Sequence, residues 1–245
     1  MKTRITSVNN EKIKNLRKLI AKNTNKDAVF VVEGYHLVNE ALKNNLVSEI
    51  YELEGNDRYI NAIEVSDNVL KSITKTNNPE GVVALCIKKL NAEKGNKIVF
   101  LDNVQDPGNV GTIIRTALAF GFDTIFSNIN FYNDKIVRST QGALFNINLL
   151  NYENNYKTVD LLKSEGYKIF ATSLEKDSIP YDIVNYPDDK IVVIMGNEGI
   201  GINKELYKLA DQKIYIPIQF ESLNVGVATG IILNHIYSLG DKNER

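Results

Sequence analysis

From residue 97 onward the chain repeats one pattern: a short, unbroken apolar run, a corner, then a segment with helical spacing. "KIVFL", "DTIFSN", "YKIFATSL", "KIVVIM" and "KIYIPI" are the apolar runs. "TIIRTALAFG", "VDLLKSEG", "KELYKLA" and the long "NVGVATGIILNHIYSLG" are the helical segments. Strands covered on both faces lose the alternation of a half-exposed strand, and helices between them are the crossovers of a parallel sheet. The pattern therefore predicts an α/β domain over 97–245, with a parallel sheet and helices on both faces. Ligands of such sheets bind where the carboxyl ends of strands enter their loops, so the corners carry the functional information.

Upstream, strand and helix alternate over a shorter span. "AVFVVEGYHLVNEALKNN" reads as a strand, a turn at Glu33-Gly34 and a helix; "VSEIYEL" as a strand; "SDNVLKSIT" as a helix capped by Ser66; "GVVALCIKK" as a closing strand. This predicts a small α/β module over 27–89, joined by a polar linker at 90–96 to the larger domain. Residues 1–26 carry eight basic side chains (Lys2, Arg4, Lys12, Lys14, Arg17, Lys18, Lys22, Lys26) against the single acidic Glu11, on a chain whose formal net charge is −1. Ile13, Leu16, Leu19 and Ile20 repeat at helical spacing among those lysines. The expectation is a basic amphipathic arm that meets a polyanion or forms a solvated helix face. Cys86 is the only cysteine, so neither a disulfide nor a cysteine metal cluster is expected, and the reading is cytoplasmic. His36 and His235, the only histidines, are far apart in sequence, and no metal is expected.

Three corners stand out. "DNVQDPGNVG" follows the first strand of the larger domain; Gly108 and Gly111 let a ligand approach a helix start whose N–H groups favour an anion, and Asn109 adds both donor and acceptor. "GNEGIG" (196–201) places Glu198 among glycines at a strand end, as a surface turn or a ligand loop. "IPIQFESLNVGVATG" (216–230) puts Ser222 and Asn224 at the mouth of the last helix, with Ser222 as a candidate N-cap; Gly226, Ala228 and Gly230 let that helix pack closely. Neither G-x-G-x-x-G nor G-x-x-x-x-G-K-[ST] occurs, which disfavours a P-loop enzyme and a nicotinamide oxidoreductase. Together the corners suit a nucleoside-derived ligand.

"DNVQDPGNVGTIIRTALAFG", "IVVIMGNEGIG" and "IPIQFESLNVGVATGIIL", in that order, resemble the three motifs of the SpoU/TrmH family of RNA ribose 2′-O-methyltransferases in the SPOUT superfamily. "FVVEGYHLVNEAL" resembles that family's small substrate-binding domain. The resemblance implies a trefoil knot in the catalytic domain, S-adenosylmethionine as cofactor, a homodimer formed through the catalytic domains, and RNA as substrate. It assigns Asn109 and Arg115 to the first motif, Gly196 and Glu198 to the second, and Ser222 and Asn224 to the third, with Ile216 and Leu223 as cofactor-contacting backbone. Ile218 and Gly226 depart from the usual third-motif wording without removing a functional group.

Catalytic roles are thus expected for Arg115, Asn109, Glu198 and Ser222, and cofactor contacts for Gly196, Ile216, Leu223 and Asn224. In related family members the arginine at the position of Arg115 is proposed as the base. A guanidinium stays protonated in proteins, so clamping the substrate phosphate and stabilising the developing alkoxide is the role its chemistry suits. Tyr35 and His36, beside Gly34, are placed to stack on a base or to pack at a helix start. A separate substrate domain resembles the ribosomal-RNA enzymes of the family more than the compact transfer-RNA type. A transfer-RNA substrate, or a non-catalytic RNA-binding or ribosome-assembly protein of the same fold, are the alternatives.

Overall fold

The computed structural model describes residues 3–22, 24, 27–89, 93–219 and 221–240. Lys2 and Lys26 of the basic segment, and residues 90–92 of the expected linker, lie outside them. The chain forms two compact units: residues 1–91 with 130–145, and residues 92–129 with 146–245. No helix among the described residues is long and apolar enough to cross a membrane.

The first unit contains β1 (Arg4–Ile5), α1 (Glu11–Lys22), β2 (Val29–Glu33), α2 (Tyr35–Lys43), β3 (Val47–Leu53), β4 (Ile63–Val65), α3 (Asp67–Ser72) and β5 (Val82–Ile87). Its sheet runs β1-β4-β3-β5-β2; β5 is antiparallel to both neighbours, while β4 is parallel to β1 and β3. The basic segment is no separate arm. β1 pairs with β4, and α1 buries Ile13 and Leu16 in one core with Tyr51, Val65, Val69 and Leu70. Burying a side chain such as Ile13 fully is worth roughly 1.5–3 kcal/mol, enough to dock a helix however basic its outer face. That outer face keeps Lys14, Arg17, Lys18 and Lys22 in solvent, while Lys12 pairs with Glu49 at 2.6 Å. Ser66 stands at the start of α3 but makes no side-chain cap; its hydroxyl is turned to the Thr6 carbonyl and the Asn68 side chain.

The second unit begins with β6 (Lys97–Asp102), α4 (Pro107–Ala119) and β7 (Thr124–Ser127). The chain then gives α5 (Asp134–Ser139) and its neighbours to the first unit, where Tyr132 packs on Phe30 with ring centroids 4.6 Å apart. It returns as β8 (Asn148–Asn151), α6 (Asn155–Ser164), β9 (Lys168–Thr172), β10 (Ile179–Pro180), β11 (Ile191–Gly196), α7 (Lys204–Tyr207), β12 (Gln212–Tyr215) and α8 (Val225–Gly240). All seven strands are parallel, in the order β10-β12-β9-β11-β6-β7-β8. One face of the sheet is filled by Ile98, Phe100, Ile169, Val192 and Ile194 with Val159 and Leu162 of α6 and Leu206 of α7. Phe100 stacks on Tyr152 at 4.7 Å.

Strands β6, β7 and β8 advance one way across the sheet, and the chain then crosses to the far side of β11. The order reverses between β6 and β11, the position where open α/β sheets leave a crevice at their carboxyl ends. The register sets Gly196 directly beside Asp102, so the first two corners leave the sheet side by side.

Candidate active site

Each corner is first shaped by its own polar residues. Asp106 caps α4 by accepting from the Asn109 N–H at 2.8 Å, and Pro107 occupies the first helical turn. The second corner is a tight loop closed by a bridge between Asn197 and Gly201, with N–H···O contacts of 3.1 and 2.9 Å. The Asn197 side chain accepts from the Gly199 and Ile200 N–H groups and donates to the Asn103 carbonyl at 3.0 Å. A Cβ on Gly196 would lie 2.6 Å from the Gly201 carbonyl carbon and 2.7 Å from the Ile202 nitrogen. The loop therefore demands glycine there before any ligand does. In the third corner it is Asn224, not Ser222, that caps α8, accepting from Gly226 N–H at 3.0 Å and Val227 N–H at 3.3 Å.

The corners then join. The Asn109 side chain donates Nδ2 to Glu198 Oε1 at 2.5 Å and accepts from Asn224 Nδ2 at 2.9 Å. Beneath them, Asp102 is only 1 % exposed. Its carboxylate accepts from the Asn155 side chain at 2.8 Å, the Asn203 N–H at 2.7 Å and the Asn103 side chain at 3.1 Å. A buried carboxylate needs such donors, and these tie the end of β6 to the starts of α6 and α7.

Beside the Asn109–Glu198 pair opens a cavity of about 300 Å³. Its walls come from the ends of β9, β11 and β12, the 196–202 loop, Ile216, Ile218, Ser222 and Leu223, and the first turns of α8. Gly196, Glu198, Ile216, Ser222 and Leu223 all stand on this wall. Asn109 and Asn224 touch the rim through Glu198 and through each other. Arg115 is not brought in: it lies exposed on α4, about 9 Å along the helix axis from Asn109 by helical rise, and does not line the cavity. Glycines at the α4–α8 crossing do what small residues suit, with Gly226 against Thr112 and Gly230 against Thr116.

Residues 96–234 match the sequence model of the family described as SpoU rRNA Methylase, and residues 10–84 match that of the MRM3-like substrate binding domain. The chain belongs to the SpoU rRNA methylase family. It is 35% identical over 246 residues to the 23S rRNA (guanosine(2553)-2′-O)-methyltransferase RlmP of Bacillus subtilis, covering 95% of this chain and 98% of that protein. It is 35% identical over 144 residues to the tRNA (guanosine(18)-2′-O)-methyltransferase of Aquifex aeolicus, covering 56% and 66%. The crystal structure of the AdoMet-bound rRNA methyltransferase from Sinorhizobium meliloti superposes with a TM-score of 0.83 at 29% identity, covering 97% of this chain and 98% of that one.

The cavity fits a nucleoside-derived cofactor of this SpoU family member on its own chemistry. Met195, Ile202, Ile214 and Ile232 offer apolar surface to a planar base. Ile216, Ile218 and Leu223 bring the segment before α8 onto the wall of the cavity. Glu198 is the one charged side chain on the wall among the described residues, and its sign suits a cationic ligand. Sequence reasoning missed Thr172, Ser173 and Leu174 at the end of β9, which line the cavity, and the Asp102 network below it. The first three were findable from the strand-end rule alone; their corner lacks the glycines that drew attention elsewhere.

Proposed function

We propose that the chain is an S-adenosylmethionine-dependent RNA methyltransferase acting on a ribose 2′-hydroxyl of ribosomal RNA. The observation that carries this is the joining of Asn109, Glu198 and Asn224, one residue from each family motif, at the rim of the cavity. Similarity to a 23S rRNA 2′-O-methyltransferase over nearly the whole of both chains supports the substrate class. A transfer-RNA substrate is the second reading, since an enzyme named for that activity matches part of the chain; the stretch matching a substrate-binding domain favours the first.

When bound, S-adenosylmethionine supplies an electrophilic methyl group on a sulfonium. Ile216, Leu223 and Gly196 would hold it through backbone and close approach, with Glu198 as the counter-charge. Ser222, exposed on the wall, would contact the substrate or the neighbouring backbone. Asn109 fixes Glu198, and Asn224 fixes Asn109. Arg115, planar and permanently charged, would grip a substrate phosphate and stabilise the oxygen as its proton leaves.

Since one chain leaves Arg115 away from the cavity, the reading includes a homodimer in which α4 of each protomer completes its partner's site. Val227 and Tyr237, large and exposed on α8, support that face. The reading also takes the C-terminal stretch through a trefoil knot; it is supported by the way the 196–202 loop and Ile216, Ile218, Ser222 and Leu223 line one cavity while Gly226 and Gly230 of α8 pack against α4. An RNA substrate and the lone, buried Cys86 support a cytoplasmic location.

The test is incubation with tritiated methyl donor and RNA from a strain lacking the protein, with ribosomal and transfer RNA separated afterwards. Label in alkali-resistant dinucleotides of ribosomal RNA is the expected result. Label confined to transfer RNA would move the substrate to the second reading. Donor binding without label in either pool would point to a non-catalytic RNA-binding protein.

A further inference from the structure

The first unit holds a buried carboxylate that takes no part in the site described above. Glu52, at the end of β3, is 1 % exposed. Its Oε1 accepts from the Tyr35 hydroxyl and the Arg58 N–H, each at 3.2 Å, and its Oε2 accepts from the Tyr59 N–H at 3.2 Å. Two of these three bonds fix the backbone of the loop between β3 and β4. Asn56 donates to the Tyr35 hydroxyl at 2.8 Å, and Tyr59 donates to Asn39 at 2.7 Å. Gly81, at φ +94°, passes so close that a Cβ there would sit 2.5 Å from the Asn56 amide.

What this scaffold displays is a stack. The Arg58 guanidinium carbon lies 3.9 Å above the centre of the Tyr35 ring, and the Tyr35 and Tyr59 rings are near-parallel, 6.1 Å apart and inclined by 18°. Arg58 is exposed, its guanidinium forms no ion pair among the described residues, and Ile60 beside it is 86% exposed. A guanidinium is planar, and one held over an aromatic ring leaves an outer side and edge donors for a ligand. That is a surface on which an unpaired base stacks. Glu54 is paired with Arg4, the sequence neighbour Asp57 is acidic, and no run of cations accompanies Arg58, so a base is a better occupant here than a phosphate track.

We propose that the Arg58–Tyr35–Tyr59 stack, held by Glu52, is a subsite for one unpaired base of the RNA substrate. It rests on the reading that the chain acts on RNA, and it gives the substrate-binding unit a specific chemistry: recognition of single-stranded rather than duplex structure.

The test uses the full chain, a 20-nucleotide oligoadenylate and the same length of oligoadenylate–oligouridylate duplex, with fluorescence anisotropy over a salt series. The chain should bind the single strand more tightly than the duplex. Arg58→Ala and Tyr59→Leu should each weaken single-strand binding roughly five- to hundredfold, the range for loss of one stacked base. Arg58→Lys, which keeps the charge and loses the plane, should weaken it nearly as much, with the salt slope unchanged. Melting temperature and cofactor binding of Arg58→Lys should match the parent chain. Equal binding of strand and duplex, parental affinity in Arg58→Lys, or a salt slope in Arg58→Ala lower by about one, as for a lost phosphate contact, would each overturn the proposal. Methyl transfer is read separately: its absence would sink the proposed reaction, and the binding comparison would still decide the stack.

Discussion

The side-chain amide of Asn109 donates to Glu198 at 2.5 Å across a separation of 89 residues. The donor end of that amide faces the carboxylate, and its acceptor end takes the Asn224 amide. An aspartate at 109 would set one carboxylate against another. Asn109→Asp should therefore lower methyl transfer by more than tenfold and by more than Asn109→Ala does, since hydrogen bonds to charged groups are worth about 1.5–3 kcal/mol and repulsion adds to their loss. Equal turnover in the two variants would show that the pair does not organise the site.

Asn224 has two separable duties, capping α8 and steadying Asn109. Asn224→Ala should cost about 1 kcal/mol of stability, the usual value of an N-cap, together with activity. Asn224→Ser should restore the melting temperature through its own capping hydroxyl while leaving turnover low. Thermal unfolding and methyl-transfer rates on the same preparations separate the two.

Arg115 stands outside the cavity of its own chain. Arg115→Lys should keep cofactor binding and lose most of the methyl transfer, because an ammonium lacks the fork. Mixing an Arg115→Ala chain with a Glu198→Gln chain should recover activity beyond either alone if the guanidinium acts across a dimer. No recovery, in a preparation shown to contain mixed dimers, would return Arg115 to its own protomer.

Gly196 meets backbone rather than pliable side chains. Gly196→Ala must move the Gly201–Ile202 strand of the loop, and overpacking of this kind typically costs about 1–3 kcal/mol. Cofactor affinity measured by calorimetry should fall sharply even where the melting temperature changes little. Parental affinity would show that the loop yields.

Burial pushes the Cys86 thiol up to about 12 from its ordinary 9.0. The native thiol should resist alkylation at pH 8 and react quickly in denaturant. The sign for stability follows: the unfolded thiolate forms first, so the stability associated with this thiol is intact below pH 9 and declines as pH rises from about 9 to about 12. Rapid labelling of the folded chain at pH 8 would contradict this burial.

The parallel sheet was legible because strands such as β6 and β11, covered on both faces, carry unbroken apolar runs through their centres. The meeting of Asn109, Glu198 and Asn224 was legible because each sits at a strand or helix end of one sheet. Asp102 was hidden: its importance lies in three donors drawn from residues 103, 155 and 203, and nothing in the sequence links those positions. The lysines of α1 concealed a helix that docks by Ile13 and Leu16, since charge on the outer face says little about the inner one. Ser66 has the identity of a cap without its geometry, because its hydroxyl finds the Thr6 carbonyl and the Asn68 side chain instead.

The order of the rim residues along the chain has a consequence for biogenesis. Synthesis delivers Asn109 early, Glu198 late and Asn224 later still, so the amide of Asn109 waits 115 residues for its second partner. Contacts of such long range are slow to form, and here the last of them is also the cap of α8. A nascent chain can complete its first unit's helix α1 and strands β1 to β5 while the rim of its cavity does not yet exist. The appearance of methyl-donor binding during translation would therefore act as a clock, reporting that α8 has found its place.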